Sequence, residues 1–578
     1  MWFPVLLALA PAVLQPSGPS PAWIQEPSEV SYQLRVAPPP VSQVFGHGRF
    51  EGLDPDEPAL HLYMVERYGF VTLAEPRLAD GPRAVDGSGA PLPVERLAPY
   101  RWRVDKGTAA EVELSWVVPI DHRSLPAVAG RDEYQFPYLA DDHGMLTTSA
   151  LLMVPELPLW GPSMLTIDAP EGWPVHGPWP RIAPGVFRPE GEYALVANLF
   201  AVGAWDMYTV EAADAEVDVL FAPGQERLAE LAVPLIAPVL KAELELFDVR
   251  PFERYAVLFG RPDSQGLGGS PKQGSMTLFV DNRMVNGSGV AAVLHLVAHE
   301  FFHTWGQSRY ECPDELRFFN EGFTDYYSHL VPARLGSVTW GAFGEAVEKA
   351  LADWESNPRA PELSLAAAGG PPFFEDTDAY QLVYQGGLAL AALTDAMLRN
   401  PELRIDGREG DLDEFMRSFN NDPRWGERAP SLRDFRLALA ERLGHGRSRQ
   451  LLALAQRPRA PDLVRAFTAV GIPLLRSLER PKTSLRANLE GTTIGNMDRS
   501  GLAARLGLRE GDRVLIVNGQ RTDSERELRK AWSSIESQVL IEFERDGKRG
   551  RIEREVPKVV RYSLPLDRWA PSQSGDDR

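Results

Sequence analysis

The stretch His299-Glu-Phe-Phe-His303 constrains this 578-residue chain more than any other. Positions four apart on a helix share one face, so the spacing predicts a helix that turns both imidazoles toward one point. Two imidazoles so placed are half of a Zn²⁺ site. Glu300, next to the first of them, is placed to act as general base on a metal-activated water. A catalytic zinc takes three protein ligands and keeps its fourth position open, so one ligand is still wanted. Glu321, eighteen residues past His303, fits. The run Asn320-Glu-Gly-Phe-Thr-Asp-Tyr-Tyr327 reads as the start of a second helix, far enough along for the chain to turn back. The expected metal set is His299, His303 and Glu321, with one Zn²⁺ per chain. The plainer reading, a buried helix carrying two satisfied histidines, leaves the second run unexplained.

With both runs in view, the chain resembles the glutamate-zincin peptidases, and within them the glycyl aminopeptidase family. The sharp motifs occupy roughly thirty residues, although the similarity runs over most of the chain. The resemblance implies a multidomain α+β protein: an N-terminal β-sandwich, a thermolysin-like catalytic domain with a helical subdomain, and a C-terminal PDZ domain. It also implies that Tyr384, in Val383-Tyr-Gln-Gly-Gly387, donates its hydroxyl to the oxyanion of the tetrahedral intermediate. Tyr380, one turn earlier, is the rival. In the resembled family a Gly-Gly segment with an acidic residue close behind lines the cleft. Here Gly268 and Gly269 are expected at the substrate, but Ser270-Pro-Lys-Gln273 follows, with no carboxylate to hold a free amino terminus. That leaves an endopeptidase open beside an aminopeptidase.

The rest of the chain supports this division. A length of 578 residues exceeds a single core, and a formal charge of -20 argues against nucleic acid or an anionic membrane surface as partner. Residues 1–22 read as a signal peptide, apolar to Leu14 with a small-residue site at Ser20-Pro-Ala22, although no basic residue precedes the apolar run. The expected location is secreted or periplasmic. No other stretch is long and apolar enough to span a membrane, so the mature chain should carry no integral segment. Cys312 is the only cysteine, which excludes an internal disulfide; a small buried hydrophobe is its expected role.

Residues 28–212 show short alternating runs with Pro/Gly punctuation, such as Glu111-Val-Glu-Leu-Ser-Trp-Val-Val118, as a β-sandwich would. Its histidines, His47, His61, His122, His143 and His176, are expected in solvent. Residues 213–335 give strand, helix and strands before the zinc helix, with Ser275–Val280 as an edge strand. The glycine-rich run from Gln265 to Gly274 lacks the Gly-Lys-Ser/Thr ending of a phosphate loop. Residues 336–478 are helical in pattern. Residues 484–560 look like a PDZ domain, a module that captures an extended peptide at a sheet edge; Thr493–Asn496 is the nearest candidate for its carboxylate loop. Residues 561–578 are expected to be a tail. Near the metal set, Asp325 and Asn320 are candidates to support the ligands. His295 shares the ligand face, either as a packed core residue or as a partner to the ligands.

The expected function is zinc-dependent hydrolysis of peptide bonds in peptide or protein substrates, by an aminopeptidase. Two rivals remain: an endopeptidase, and a PDZ-led peptide-binding or quality-control protein with a silent zinc site.

Overall fold

A computed structural model describes residues 29–68, 71–125, 135–156, 163–189, 195–212, 215–247, 249–260, 267–281, 289–306, 312–405, 410–426, 428–459, 461–479, 485, 487–497, 501–556 and 558–566. The expected signal peptide and the last residues of the expected tail lie outside them.

The N-terminal part is β-rich. Its strands alternate buried and exposed positions, as in Glu29–Ala37 and Glu111–Pro119, because successive side chains point to opposite faces of a pleated strand. An eight-stranded sheet contributes Tyr32, Leu34, Phe50 and Trp116 to a core that a four-stranded sheet completes with Leu62, Trp102 and Val104. Two of its histidines depart from expectation. His122 is buried beside Phe136, and His143 is buried between Tyr138 and Trp205.

A second four-stranded sheet (Tyr138–Leu139, His143–Thr147, Val175–His176, Leu199–Gly203) leans on the sheet that follows. A shared apolar cluster of Met145, Leu199, Ala201, Trp205, Leu220, Ala256 and Leu258 joins them. This next sheet has five strands in the order Asp206–Ala212, Ala215–Phe221, Arg254–Phe259, Ser275–Val280, Leu267–Pro271. The three central strands are parallel and the two outer ones antiparallel. Two expectations change here. The sheet begins at Asp206, because Asp206–Ala212 pairs residue for residue with the strand after it. Ser275–Val280 is interior, and the edge belongs to Leu267–Pro271, inside the glycine-rich run.

Against one face of this sheet lie the helices. Glu226–Phe247 and Gly289–Phe302 (the His helix) pack on it, and Arg317–Arg334 (the Glu helix) and Thr377–Arg399 (the Tyr helix) follow behind. Further helices at Trp340–Ser356, Leu412–Asn420 and Leu432–Gln456 extend the same core, the last broken at Gly444 with φ +82°.

The C-terminal unit has its own core around Ile494, Leu506, Val514, Trp532 and Ile541. Thr493–Met497, expected as a loop, is a strand paired with Ala487–Glu490. Val559–Ser563, which straddles the expected end of the PDZ domain and start of the tail, pairs antiparallel with Leu475–Glu479 and brings the chain back to the helical part. Among the described residues no helix is long and apolar enough to cross a membrane.

Candidate metal centre

The His helix is buried from Val293 onward, apart from His295, because it is wedged between the five-stranded sheet and the Glu helix. It tightens at its end into a 3₁₀ turn, His303–Trp305. Trp305 pins that turn: its indole N–H donates to the Val249 carbonyl at 2.7 Å and its ring stacks on Phe247. The Glu helix is fixed by two buried tyrosines. Tyr326 donates to Asp395 Oδ2 and Tyr327 to Asp413 Oδ1, each at 2.7 Å. Asp376 caps the Tyr helix by accepting from the N–H groups of Asp378 and Ala379.

The Glu and Tyr helices cross where both carry glycine. A Cβ on Gly322 would lie 2.3 Å from Gly387 Cα, and one on Gly387 would lie 2.3 Å from the Phe318 carbonyl oxygen. Only glycine permits this approach. The crossing sets Glu321 opposite Tyr384, whose hydroxyl donates to Glu321 Oε2 at 2.7 Å. Tyr380 packs its ring on Tyr384 at 4.6 Å between centroids.

Three side chains converge there. Nε2 of His299 and Nε2 of His303 each lie 3.5 Å from Glu321 Oε2, and one donor atom from each of the three lies within 4.8 Å of the other two. Tetrahedral zinc with bonds of 2.0–2.1 Å places its ligand atoms about 3.4 Å apart, so the spacing fits. The chemistry of the donors agrees. His299 and His303 are fully buried, and neither ring nitrogen of either has a hydrogen-bond partner. Burying four such nitrogens without a partner is costly, and a cation would satisfy one on each ring.

The three groups are strongly coupled electrostatically. Burial works against charge on Glu321, yet His303 and His299 hold its carboxyl well below the usual range. His299 is pulled down by burial, but Asp325 and Glu321 outweigh that and lift it to about 10. His303 is lowered, chiefly by burial. Asn320 donates from Nδ2 to Glu321 Oε1 at 3.1 Å, which leaves Oε2 to face the imidazoles. Asp325 is buried, with Oδ1 at 3.6 Å from His299 Nδ1 and 2.9 Å from His295 Nε2.

Glu300, next to His299 on the His helix, lies against the sheet edge. It is fully buried, neither carboxylate oxygen has a hydrogen-bond partner, and burial raises its pKa well above the carboxylate range. The edge strand lies directly on it: a Cβ at Gly269 would sit 2.7 Å from Glu300 Cγ. Gly268 is the preceding residue of the same strand. Sequence reasoning missed Lys272. It is buried at the end of that strand, near Glu300, with Nζ 3.3 Å from Gln135 Oε1. It also missed His329, whose spacing of four from Asp325 was the available signal. Cys312, half-buried against the main core, takes no part in the cluster.

Comparison with known proteins finds similar families and a similar fold. The Peptidase M61 N-terminal domain family matches residues 78–198, and the M61 glycyl aminopeptidase family matches residues 292–371. Among curated proteins no sequence matches the chain. The fold is similar to that of an aminopeptidase N family protein from Idiomarina loihiensis, with TM-score 0.73 and 16% identity over 94% of this chain and all of that one. It is also similar to an M1 zinc metallopeptidase from Deinococcus radiodurans, with TM-score 0.51 and 16% identity over 76% of this chain and 96% of that one. At these identities the likeness establishes fold alone. Family match, fold and buried His/Glu cluster together make the chain a zinc metallopeptidase. Within that class, residues 78–198 and 292–371 are similar to the M61 family, the second segment to its glycyl aminopeptidase domain.

Proposed function

We propose that the chain hydrolyses peptide bonds as an aminopeptidase, with His299, His303 and Glu321 holding one catalytic Zn²⁺. The observation that carries this reading is the convergence of three buried donor atoms beside a carboxylate, Glu300, with no hydrogen-bond partner of its own. A zinc ion bound there supplies Lewis-acid polarisation and lowers the pKa of water. Glu300 accepts the proton of the attacking water and returns it to the leaving amine. Tyr384 donates to the developing oxyanion, and Asn320 and Asp325 hold Glu321 and His299 in place. An extended peptide pairs with the outer edge of Leu267–Pro271, where Gly269 keeps the strand against Glu300.

Glu300→Gln keeps the shape and removes the base. The expected result is an unchanged zinc content and a kcat reduced by about 10²–10⁴-fold. A variant with full activity would show that Glu300 is not the base.

Lys272 favours a second reading, an endopeptidase. A free amino terminus needs a carboxylate, and the strand bearing Gly268 and Gly269 ends instead in a buried ammonium group. Matched peptides with free and N-acetylated ends decide between the two: an aminopeptidase cuts only the free ones.

The C-terminal unit is proposed as a PDZ domain. Support comes from the order of its parts: a short helix at Leu502–Leu506, the strand Arg513–Val517, a tight turn at Asn518-Gly519 with φ +48° and +80°, and the helix Glu525–Ser533. A peptide ligand there and a secreted or periplasmic location complete the proposal; the latter rests on residues 1–22.

A further inference from the structure

The two helices that carry the first cluster carry another, one turn further along each. His295 precedes His299 by four residues, and Asp325 and His329 follow Glu321 by four and eight. A step back on the His helix is therefore matched by a step forward on the Glu helix, as antiparallel neighbours require. Nε2 of His295 lies 2.9 Å from Asp325 Oδ1, and the rings of His295 and His329 are 4.3 Å apart between centroids. One donor atom from each of His295, Asp325 and His329 lies within 4.8 Å of the other two, the same closeness as in the first set.

We propose that His295, Asp325 and His329 form a second cation site, adjoining the first through Asp325, that takes a divalent transition metal such as Zn²⁺. Two imidazole nitrogens and one carboxylate oxygen make a borderline donor set. It suits zinc, cobalt, nickel or copper, whereas calcium and magnesium prefer oxygen throughout. Three ligands leave room for solvent to complete the shell. The site is also more open than the first: the side chains of His295 and Asp325 are 13% and 11% exposed, against 1% for each of His299, His303 and Glu321. A second ion would therefore exchange with solvent more readily, and bind more weakly, than the buried one. The rival account is a relay in which Asp325 accepts hydrogen bonds from the neighbouring imidazoles. Such a relay takes up no ion.

Counting metal separates these accounts without reference to peptide cleavage. The full chain is stripped with a chelator, titrated with ZnCl₂ or CoCl₂, freed of unbound ion by gel filtration and analysed by mass spectrometry for metal per chain. Cobalt also reports through its visible absorption. The expected result is about two equivalents in the wild type, the second bound more weakly, and about one in His329→Ala. His303→Ala should lose the tighter equivalent and keep the weaker. His329→Gln serves if circular dichroism shows His329→Ala to be unfolded. Saturation of the wild type at about one equivalent, lost in His303→Ala and kept in His329→Ala, overturns the second site alone. A wild type that binds no metal overturns the zinc assignment of the first site as well.

Discussion

Glu300 is held where a carboxylate has nothing to bond with, and its neighbours explain why the position is tolerated. Gly269 leaves no side chain to crowd it, and the Lys272 ammonium nearby counters part of the burial. Tyr384 is the complementary case, a buried hydroxyl whose bond to Glu321 also places it beside the candidate zinc ligands. Tyr384→Phe removes that donor and little else. Zinc content should stay the same and kcat should fall by about 10²–10³-fold, as for the loss of one oxyanion donor. Steady-state kinetics with metal analysis checks this, and an unchanged kcat would leave Tyr384 a packing residue. At this scale much was legible. Helical period alone puts His299 and His303 on one face, and the spacing to Glu321 follows from the second motif. Lys272 was not legible, because its significance depends on which helix lies next to its strand; His329 offered only its spacing of four from Asp325, which gains meaning once the His helix lies beside it.

Elements are positioned here by close approach more than by bulk. The Gly322–Gly387 crossing lets two helix backbones touch, and Glu321 and Tyr384 meet because of it. Gly387→Ala drives a methyl group into the Phe318 carbonyl and must push the helices apart. Overpacking of this kind costs about 1–3 kcal/mol. The melting temperature should therefore fall, and activity should fall further than the loss of folded protein explains, since the Tyr384–Glu321 bond lengthens. A variant with unchanged melting temperature and activity would show that the crossing can relax. The structure sets Gly269 against Glu300, whereas the sequence reading placed the sheet edge at Ser275–Val280. A run of Leu-Gly-Gly-Ser-Pro lacks the β-branched and aromatic residues that announce a strand. Its strand character comes from pairing with Ser275–Val280 and from the helix pressed on it.

For the whole molecule, the least legible feature was the ribbon of Leu475–Glu479 and Val559–Ser563. The first of its strands is exposed at every position, so no alternation marks it, and its partner lies some eighty residues away. The helical part grips this ribbon through Glu355, which accepts from Arg476 Nε at 3.0 Å and from the Tyr562 hydroxyl. Burial alone would raise the Glu355 pKa, but those hydrogen bonds outweigh it and hold it below the ordinary value. A depressed carboxylate stabilises the fold above its unfolded pKa, about 4.3, and that contribution is lost as pH falls through the folded value. Glu355→Gln should therefore melt at a lower temperature than wild type at neutral pH, with the gap closing as the solution is acidified. Melting curves over a pH series check this; a gap that does not change with pH would mean that charge plays no part.

The ribbon also fixes where the chain could be cut and rejoined. Glu479 and Val559 stand opposite one another across it, about 5–6 Å apart or less as in any antiparallel ladder. Everything between them leaves and returns through a doorway one strand-spacing wide. In the language of gene construction, the C-terminal unit is a cassette. Its two ends abut, and a two-residue hairpin turn would span the gap it left.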